Sequence, residues 1–285
     1  MTQVTRAHTG RLGIEQLSAF GLPPVQFVNL AADLGCDCIS AGLTGLGYNP
    51  QRYPPFSLRE DAAMRRELTA AMRDRGVAIS LGEGCIIRPG SDIRAAAADM
   101  DIMQELAVER LNTVSMDPDL ARTLDQLAVF AEMAAERGMV STIELCPVLT
   151  INNLDSAVAA VRHVGRPDFK LLLDTMHLGR SGATAAQIAA LDPALIDYVQ
   201  LCDAPRSPSE PNYLQEATFE RMVPGEGEMP LRDYLAALPR TVTISLEVPL
   251  RSQAEAGIEP GTRLRRCVDA ARRLLAGVDA SHDEH

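Results

Sequence analysis

Four short apolar segments in the second half of the sequence each end in a polar side chain that can bind a metal ion. The four are Glu144 in VSTIELCP, Asp174 in FKLLLDTMH, Gln200 in YVQLCD and Glu247 in TISLEVP. Because side chains alternate along a strand, each shares a face with the residue two positions earlier. Any one of them could be a rim residue bonded to nearby backbone. Their repetition at matching depth on consecutive segments favours a common ligand.

Three carboxylates packed together repel one another, and loss of water raises their pKa values. A divalent cation removes both penalties. All four donors are oxygen atoms, which suits Mn²⁺ or Mg²⁺ better than Zn²⁺ or Co²⁺. We therefore predict one divalent metal ion per chain, bound by Glu144, Asp174, Gln200 and Glu247.

Three residues beyond these segments are candidates for contacting a substrate. His177 follows Asp174 by one helical turn, and we expect it to hydrogen-bond a substrate oxygen; the alternative is a capping or loop histidine. Arg221 or Arg206 could anchor a carboxylate or phosphate group, although Arg206 could equally be a solvated loop residue.

Four other charged residues could either line the pocket or serve the structure. Glu15 and Glu83 lie on two further candidate strands and either face the barrel lumen or pair elsewhere. Glu226, in a P-G-E-G turn, is interpreted as structural. Lys170 could suggest Schiff-base chemistry, but it lies at the N-terminal end of its strand, where barrel residues serve stability.

The elements that must position these residues alternate between short apolar runs and longer amphipathic runs. Candidate strands cover 12–17, 36–42, 77–85, 111–116, 139–146, 169–174, 198–202 and 242–248. Candidate helices include 58–75, 93–108, 119–137, 154–164, 184–191, 231–237 and 262–275. This alternation predicts parallel strands with right-handed crossovers. An open doubly wound sheet is the alternative, but no G-x-G-x-x-G loop follows the first strand.

The favoured architecture is a single-domain α/β chain folded as a (β/α)₈ TIM barrel over residues 11–278. Residues 1–10 are predicted to form a mobile arm and residues 279–285 a mobile tail. Two long loops, 44–57 and 204–230, follow strand ends, where barrel active sites are built.

Composition and charge limit the binding partners and the cell compartments that we expect for the protein. A net charge of −11 opposes binding to nucleic acid or to an anionic membrane surface. No 18-residue apolar run is present and the first residues lack the apolar core of a signal peptide. Without a C-x-x-C pair, the six cysteines are interpreted as reduced core thiols of a cytoplasmic protein.

The motifs IEL at 143–145, LDTMH at 173–177, RMVPGEGEMPL at 221–231 and SLEVP at 245–249 resemble the xylose-isomerase-like barrel superfamily of sugar and sugar-phosphate isomerases and epimerases. The resemblance covers nearly the whole chain. It implies that Glu144, Asp174 and Glu247 bind the metal, and that His177 and Arg221 contact substrate. Ketose 3-epimerases of this superfamily usually carry a metal-binding histidine on strand 7. Gln200 at that place is instead similar to the 3-dehydroshikimate dehydratase branch.

The chemistry shared by these enzymes is proton abstraction beside a carbonyl through a metal-stabilised enediolate. Glu144 and Glu247 approaching from opposite faces would give isomerisation or epimerisation of a sugar or related polyhydroxy carbonyl compound. Loss of a β-hydroxyl would make the enzyme a lyase of the 3-dehydroshikimate dehydratase type, acting on an acid. A non-catalytic binding barrel is the remaining alternative. Homo-oligomerisation is expected by analogy with such barrels.

Overall fold

Eight parallel strands pair in sequence order, and β8 returns to β1 to close a barrel. The computed structural model of the chain describes residues 10–283. The strands are β1 (Leu12–Ile14), β2 (Cys38–Ala41), β3 (Ala78–Ile87), β4 (Arg110–Ser115), β5 (Val140–Glu144), β6 (Phe169–Asp174), β7 (Ile196–Leu201) and β8 (Thr243–Leu246). The predicted (β/α)₈ barrel is confirmed.

Eleven α-helices within the described residues surround the strands or cover their ends. They are α1 (Pro24–Asp33), α2 (Ala62–Arg75), α3 (Ala97–Glu105), α4 (Leu120–Glu136), α5 (Leu154–Val164), α6 (Thr175–Arg180), α7 (Ala185–Ala189), α8 (Tyr213–Phe219), α9 (Leu231–Ala237), α10 (Arg251–Glu255) and α11 (Pro260–Asp283). The predicted bounds of α5 and α9 agree with the structure. Helices α1, α6, α8 and α10 were not among the predicted helices.

The first strand is shorter than the sequence predicted. It ends at Ile14, and a 3₁₀ helix begins at Gln16. The hydroxyl of Ser18 in this turn donates to the carbonyl of Leu246 (2.9 Å) and accepts from the N–H of Val248 (2.7 Å). The turn therefore replaces the strand ladder beside β8 without leaving those backbone groups unpaired.

The lumen contains a small apolar layer that separates two polar ends. Leu81, Leu172 and Tyr198 form a cluster of fully buried side chains apart from the main core, which lies between the strands and the outer helices. At the N-terminal end of the strands, Asp197 pairs with Arg110 and with Lys170 (3.1 Å to its Nζ). Lys170 is thus part of an ion-pair network on the side of the barrel away from the predicted metal site.

The last helix extends into the segment that the sequence assigned to a mobile tail. Helix α11 continues past Leu275 to Asp283, and Arg240 pairs with Asp279 on it. Residues 1–9 of the predicted N-terminal arm, and residues 284–285 of the tail, lie outside the described residues. None of the helices between residues 10 and 283 has the length and apolar composition of a membrane span.

The six cysteines are free and buried in the structure. Burial raises the pKa of Cys85, Cys146 and Cys202 to about 12. Thiols with such pKa values are protonated near neutral pH and react slowly. Their placement agrees with the predicted role as reduced core thiols.

Gly13 in β1 is predicted to tolerate no side chain, because a Cβ there would lie 2.7 Å from Cys38 Sγ and 2.9 Å from Ser245 Oγ. We expect Gly13→Ala to lower the free energy of unfolding by about 1–3 kcal/mol through overpacking. Urea denaturation measures the change. Gly47→Ala is the control, since no atom lies within 4 Å of its Cβ position. Equal free energies of unfolding for Gly13→Ala and Gly47→Ala would contradict the predicted overpacking.

Candidate metal centre

The four predicted metal ligands lie at the C-terminal ends of four neighbouring strands. Glu144 and Asp174 are the last residues of β5 and β6, and Glu247 directly follows β8. Asp174 and Gln200 are register partners between β6 and β7. Consecutive strands therefore bring these side chains to the same mouth of the barrel, as the polarity of the strand ends predicted.

A buried arginine joins two of the predicted metal ligands. One terminal nitrogen of Arg221 donates to Asp174 Oδ2, and the other lies 2.7 Å from Glu247 Oε2. Its Nε donates to the carbonyl of Ala217 (2.7 Å), and only 4% of the residue is exposed. The sequence predicted a substrate contact for Arg221. In the structure its guanidinium provides the positive charge between two carboxylates, and the substrate contact stays a prediction.

The turn that follows Arg221 is held by Asp203. The carboxylate of Asp203 accepts hydrogen bonds from the N–H groups of Gly225 (2.9 Å) and Met229 (3.1 Å). Asp203 and Met222 also exchange both backbone hydrogen bonds. Gly227 lies so close to Asp203 that a Cβ would be 2.4 Å from Oδ1. These contacts fix the P-G-E-G turn, which in turn positions the guanidinium at the barrel mouth.

His177 belongs to the same group of side chains as Glu144 and Asp174. Asp174 caps α6 by accepting from the N–H of His177 (2.9 Å), which places the ring in the first helical turn. Its Nε2 lies 3.4 Å from Glu144 Oε1, and Nδ1 is 2.5 Å from the hydroxyl of Tyr213. Ligand atoms of the three residues lie within 4.8 Å of one another. His177 can therefore act as a metal ligand as well as a substrate contact.

Two residues that orient this group were not among the predicted site residues. Asn112 on β4 donates to Glu144 Oε2 (2.7 Å), and its own Oδ1 accepts from Thr142 (3.0 Å). Tyr213 comes from α8, inside the long loop 204–230. The polar residue in β4 was a usable signal for Asn112. The contact from Tyr213 depends on the path of the loop, which no local pattern of residues indicates.

Glu15 and Glu83 both approach the centre, which decides between the two alternatives left open by the sequence. Ligand atoms of Glu15, Glu83 and Glu247 lie within 4.8 Å of one another. Glu15 Oε1 accepts from Tyr198 (2.8 Å), and Glu83 Oε1 accepts from Ser40. Burial raises the pKa of Glu15, and burial together with the charge of Glu15 raises that of Glu83 well above its ordinary value.

The pKa values of Glu247 and Asp174, the two carboxylates that Arg221 joins, are shifted in opposite directions. Burial raises the pKa of Glu247 well above its ordinary value; Arg221 opposes this rise, and the charges of Asp174 and Glu144 add to it. Burial also raises the pKa of Asp174, but the charges of Arg221 and His177 outweigh it, so that its pKa is lowered. The mouth of the barrel thus holds more buried carboxyl groups than one guanidinium can keep ionised.

The structure does not bring Arg206 into this group. The side chain is exposed, and its backbone N–H donates to Glu228 Oε2 (2.8 Å). Glu226 in the P-G-E-G turn pairs with Arg266 (2.6 Å), in line with its structural interpretation.

The residues present fit a divalent cation. Gln200 Nε2 donates to Glu247 Oε1 (3.1 Å), whereas Gln200 Oε1 is buried and has no hydrogen-bond partner among the described residues. Leaving a buried carbonyl oxygen unpaired costs free energy, and a cation would pair it. Carboxylate and carboxamide oxygens with one imidazole form a donor set that first-row divalent metals accept.

Comparison with known proteins assigns the chain to a family. A model of the xylose isomerase-like TIM barrel family matches residues 28–267. The chain belongs to that family.

Two curated relatives are both 3-dehydroshikimate dehydratases. The Pseudomonas aeruginosa enzyme is 29% identical over 201 residues, which is 68% of this chain and 31% of that protein. The Pseudomonas putida enzyme is 27% identical over 234 residues, or 72% of this chain and 36% of that protein. The chain thus spans about a third of the length of these relatives.

Solved structures share the fold of this barrel at low sequence identity. An IOLI protein with a bound zinc atom superposes with a TM-score of 0.78 at 16% identity, covering 94% of this chain and 99% of that one. A D-psicose 3-epimerase determined with D-fructose gives a TM-score of 0.65 at 17% identity, covering 93% and 97%. At these identities the likeness shows the fold alone.

Arg221→Gln should destabilise the metal-free protein by about 3 kcal/mol, because it leaves the buried carboxylates of Asp174 and Glu247 without their cation. We expect Mn²⁺ to restore much of this loss, since it supplies positive charge at the same place. Urea denaturation with chelator and with Mn²⁺ measures both effects. Arg180→Gln is the matched control, because Arg180 forms a buried pair with Glu216 (2.9 Å) apart from the centre. Equal rescue of both variants by Mn²⁺ would contradict the prediction.

Proposed function

We propose that this protein is a divalent-metal-dependent isomerase or epimerase of a sugar or related polyhydroxy carbonyl compound. The observation that carries the proposal is the unpartnered, buried Gln200 Oε1 beside Glu247, among carboxylates that one arginine does not neutralise. Membership of the xylose isomerase-like family supports catalysis at this mouth of the barrel. Mn²⁺ or Mg²⁺ is the preferred metal.

Glu144, Asp174, Gln200 and Glu247 would hold the metal, with His177 adjacent. A divalent cation held there would supply Lewis acidity, which polarises a carbonyl and makes a neighbouring C–H more acidic. The chain's own contribution is to position the groups that move the proton. Asn112 fixes one oxygen of Glu144, and Gln200 with Arg221 fixes Glu247. Two carboxylates held on different strands can remove a proton from one face of a substrate and return it to the other.

His177 is positioned to hydrogen-bond a substrate oxygen next to Glu144. Its Nδ1 is engaged by Tyr213, so Nε2 is the nitrogen that faces the centre. Fixing one ring nitrogen determines which tautomer the other nitrogen presents. The substrate is a small molecule, and we expect the protein to act as a homo-oligomer.

A lyase of the 3-dehydroshikimate dehydratase type is the second candidate. Two observations favour it: Gln200 in place of a strand-7 histidine, and the two dehydratases among the curated relatives. The same proton abstraction leads to dehydration when a β-hydroxyl leaves. The two activities therefore require the same centre and differ in their products.

Chelator-stripped protein titrated with Mn²⁺, Mg²⁺, Zn²⁺ and Co²⁺ is predicted to bind about one metal ion per chain. Because Glu247→Gln removes a ligand charge, it should lower the affinity at least about tenfold. Metal analysis and thermal melts measure both quantities. Glu226→Gln is the control, since Glu226 is an exposed carboxylate in a nearby turn. Absence of metal binding in the wild type would contradict the enzyme proposal.

Activity is then assayed with ketoses and 3-dehydroshikimate in parallel. An isomerase or epimerase incorporates solvent deuterium beside the carbonyl of a ketose, which NMR detects. A dehydratase forms a conjugated product that absorbs in the ultraviolet. Deuterium incorporation without absorbance supports the first candidate, and absorbance from the acid supports the second.

Tyr213→Phe should lower kcat/KM by about tenfold, because it removes the hydrogen bond that orients His177. The ¹⁵N shifts of His177 should report a mixture of tautomers. Tyr48→Phe is the matched control: its hydroxyl bonds Glu255 (2.7 Å) away from His177. Unchanged ¹⁵N shifts in Tyr213→Phe would contradict the positioning role.

A further inference from the structure

Three large apolar side chains are exposed together beside the C-terminal ends of β4 and β5. Met116 follows β4, Leu120 begins α4, and Val148 lies between β5 and α5. Leu120 is 52% exposed and Val148 is 54% exposed. Between residues 10 and 283, Ile258 is the one other large apolar side chain that is exposed. Single exposed apolar residues are ordinary, whereas a contiguous group of them marks a contact surface.

These side chains form one continuous surface. They line an open pocket of about 450 Å³, together with Pro118 and Leu149. Thr150 joins the two loops, because its hydroxyl donates to the carbonyl of Asp117 and its N–H donates to the carbonyl of Ser115 (3.4 Å). The surface is therefore preformed, and covering it would cost little conformational entropy. The apolar patch is defined by Met116, Pro118, Leu120, Val148 and Leu149.

Charged side chains of opposite sign flank the apolar patch. Arg88 follows β3, and its Nη1 lies 3.4 Å from the Sδ of Met116. Asp155 lies in the first turn of α5. Both side chains are exposed, and neither forms an ion pair with another residue between 10 and 283. Because the strands are arranged in the order β3, β4, β5, the arginine lies on the β3 side of the patch and the carboxylate on the β5 side.

This arrangement of charges is complementary to itself. In a two-fold contact the same surface is used twice, so that residue i of one copy faces residue j of the other and residue j faces residue i. A two-fold axis through the apolar patch would bring Arg88 opposite Asp155 at both ends, with apolar side chains against each other between them. An anionic membrane surface is a poor match, because the flanking charges have both signs and the chain has a net charge of −11.

We propose that two copies of this chain associate through the apolar patch, with Arg88 of one copy paired with the partner's Asp155. The net charge of −11 makes two copies repel each other, so the attraction must come from a local surface of this kind. The contact lies at the end of the barrel that carries the candidate metal centre, but it uses none of the residues of that centre. Association therefore does not depend on a bound metal or on catalysis.

Sedimentation equilibrium of the full chain measures the dissociation constant of the dimer. We expect about 1 µM or below for the wild type. Leu120→Glu should weaken association at least about a hundredfold, because it buries an unpaired charge at the centre of the contact. Ile258→Glu is the matched control, since Ile258 is exposed but lies outside the apolar patch. It should keep the wild-type constant, and circular dichroism verifies that both variants are folded.

Charge reversal tests the two-fold geometry directly. Arg88→Glu alone or Asp155→Arg alone places like charges opposite each other at both ends, and each should weaken association at least about tenfold. An equal mixture of these two variants should dimerise as tightly as the wild type, because a mixed dimer has opposite charges at both ends. A monomeric wild type, a dimer that Leu120→Glu leaves intact, or a mixture that stays monomeric would overturn the proposed interface.

Discussion

Carboxylates that lie side by side out of water repel one another unless a cation lies between them, and this constraint governs the barrel mouth. Asp174 and Glu247 are buried on β6 and after β8, and Arg221 supplies the charge that joins them. Further contacts hold that guanidinium in place. Asp203 fixes the turn after it, and the backbone N–H of Arg221 donates to the carbonyl of Pro249 (2.8 Å).

The same constraint relates the two groups of acidic residues. Glu144 with His177 lies on one side, and Glu15 with Glu83 on the other. Glu247 lies close to the second group, and the charge of Glu144 in the first group raises its pKa. Burial raises the pKa values of Glu15 and Glu83 in the second group, whereas Arg221 lies against Asp174 in the first group and Glu247 beside the second. One guanidinium therefore contacts carboxyl groups on both sides of the centre.

The barrel and the strand-borne part of the centre could be predicted because both depend on local pattern. Asp174 and Gln200 interrupt apolar runs at their ends, and alternation places them on one face. Arg221 and Tyr213 could be noticed in the sequence, but their partners could not. Both lie in the segment 204–230, whose path depends on contacts between residues far apart in the chain. The shortening of β1 escaped prediction for a similar reason, because Ser18 bonds backbone groups more than two hundred residues away.

The predicted ligands Glu144, Asp174 and Glu247 are anchored at strand ends, whereas Arg221 and Tyr213 come from the connection between β7 and α9. One segment of the chain therefore supplies both the positive charge beside the predicted ligands and the hydroxyl that contacts His177. Insertions or substitutions in that segment can change the two together while the strand-borne ligands stay where the barrel register holds them. The fold in this way separates the strand-borne predicted ligands from a loop segment that can vary in length and sequence without disturbing the strands.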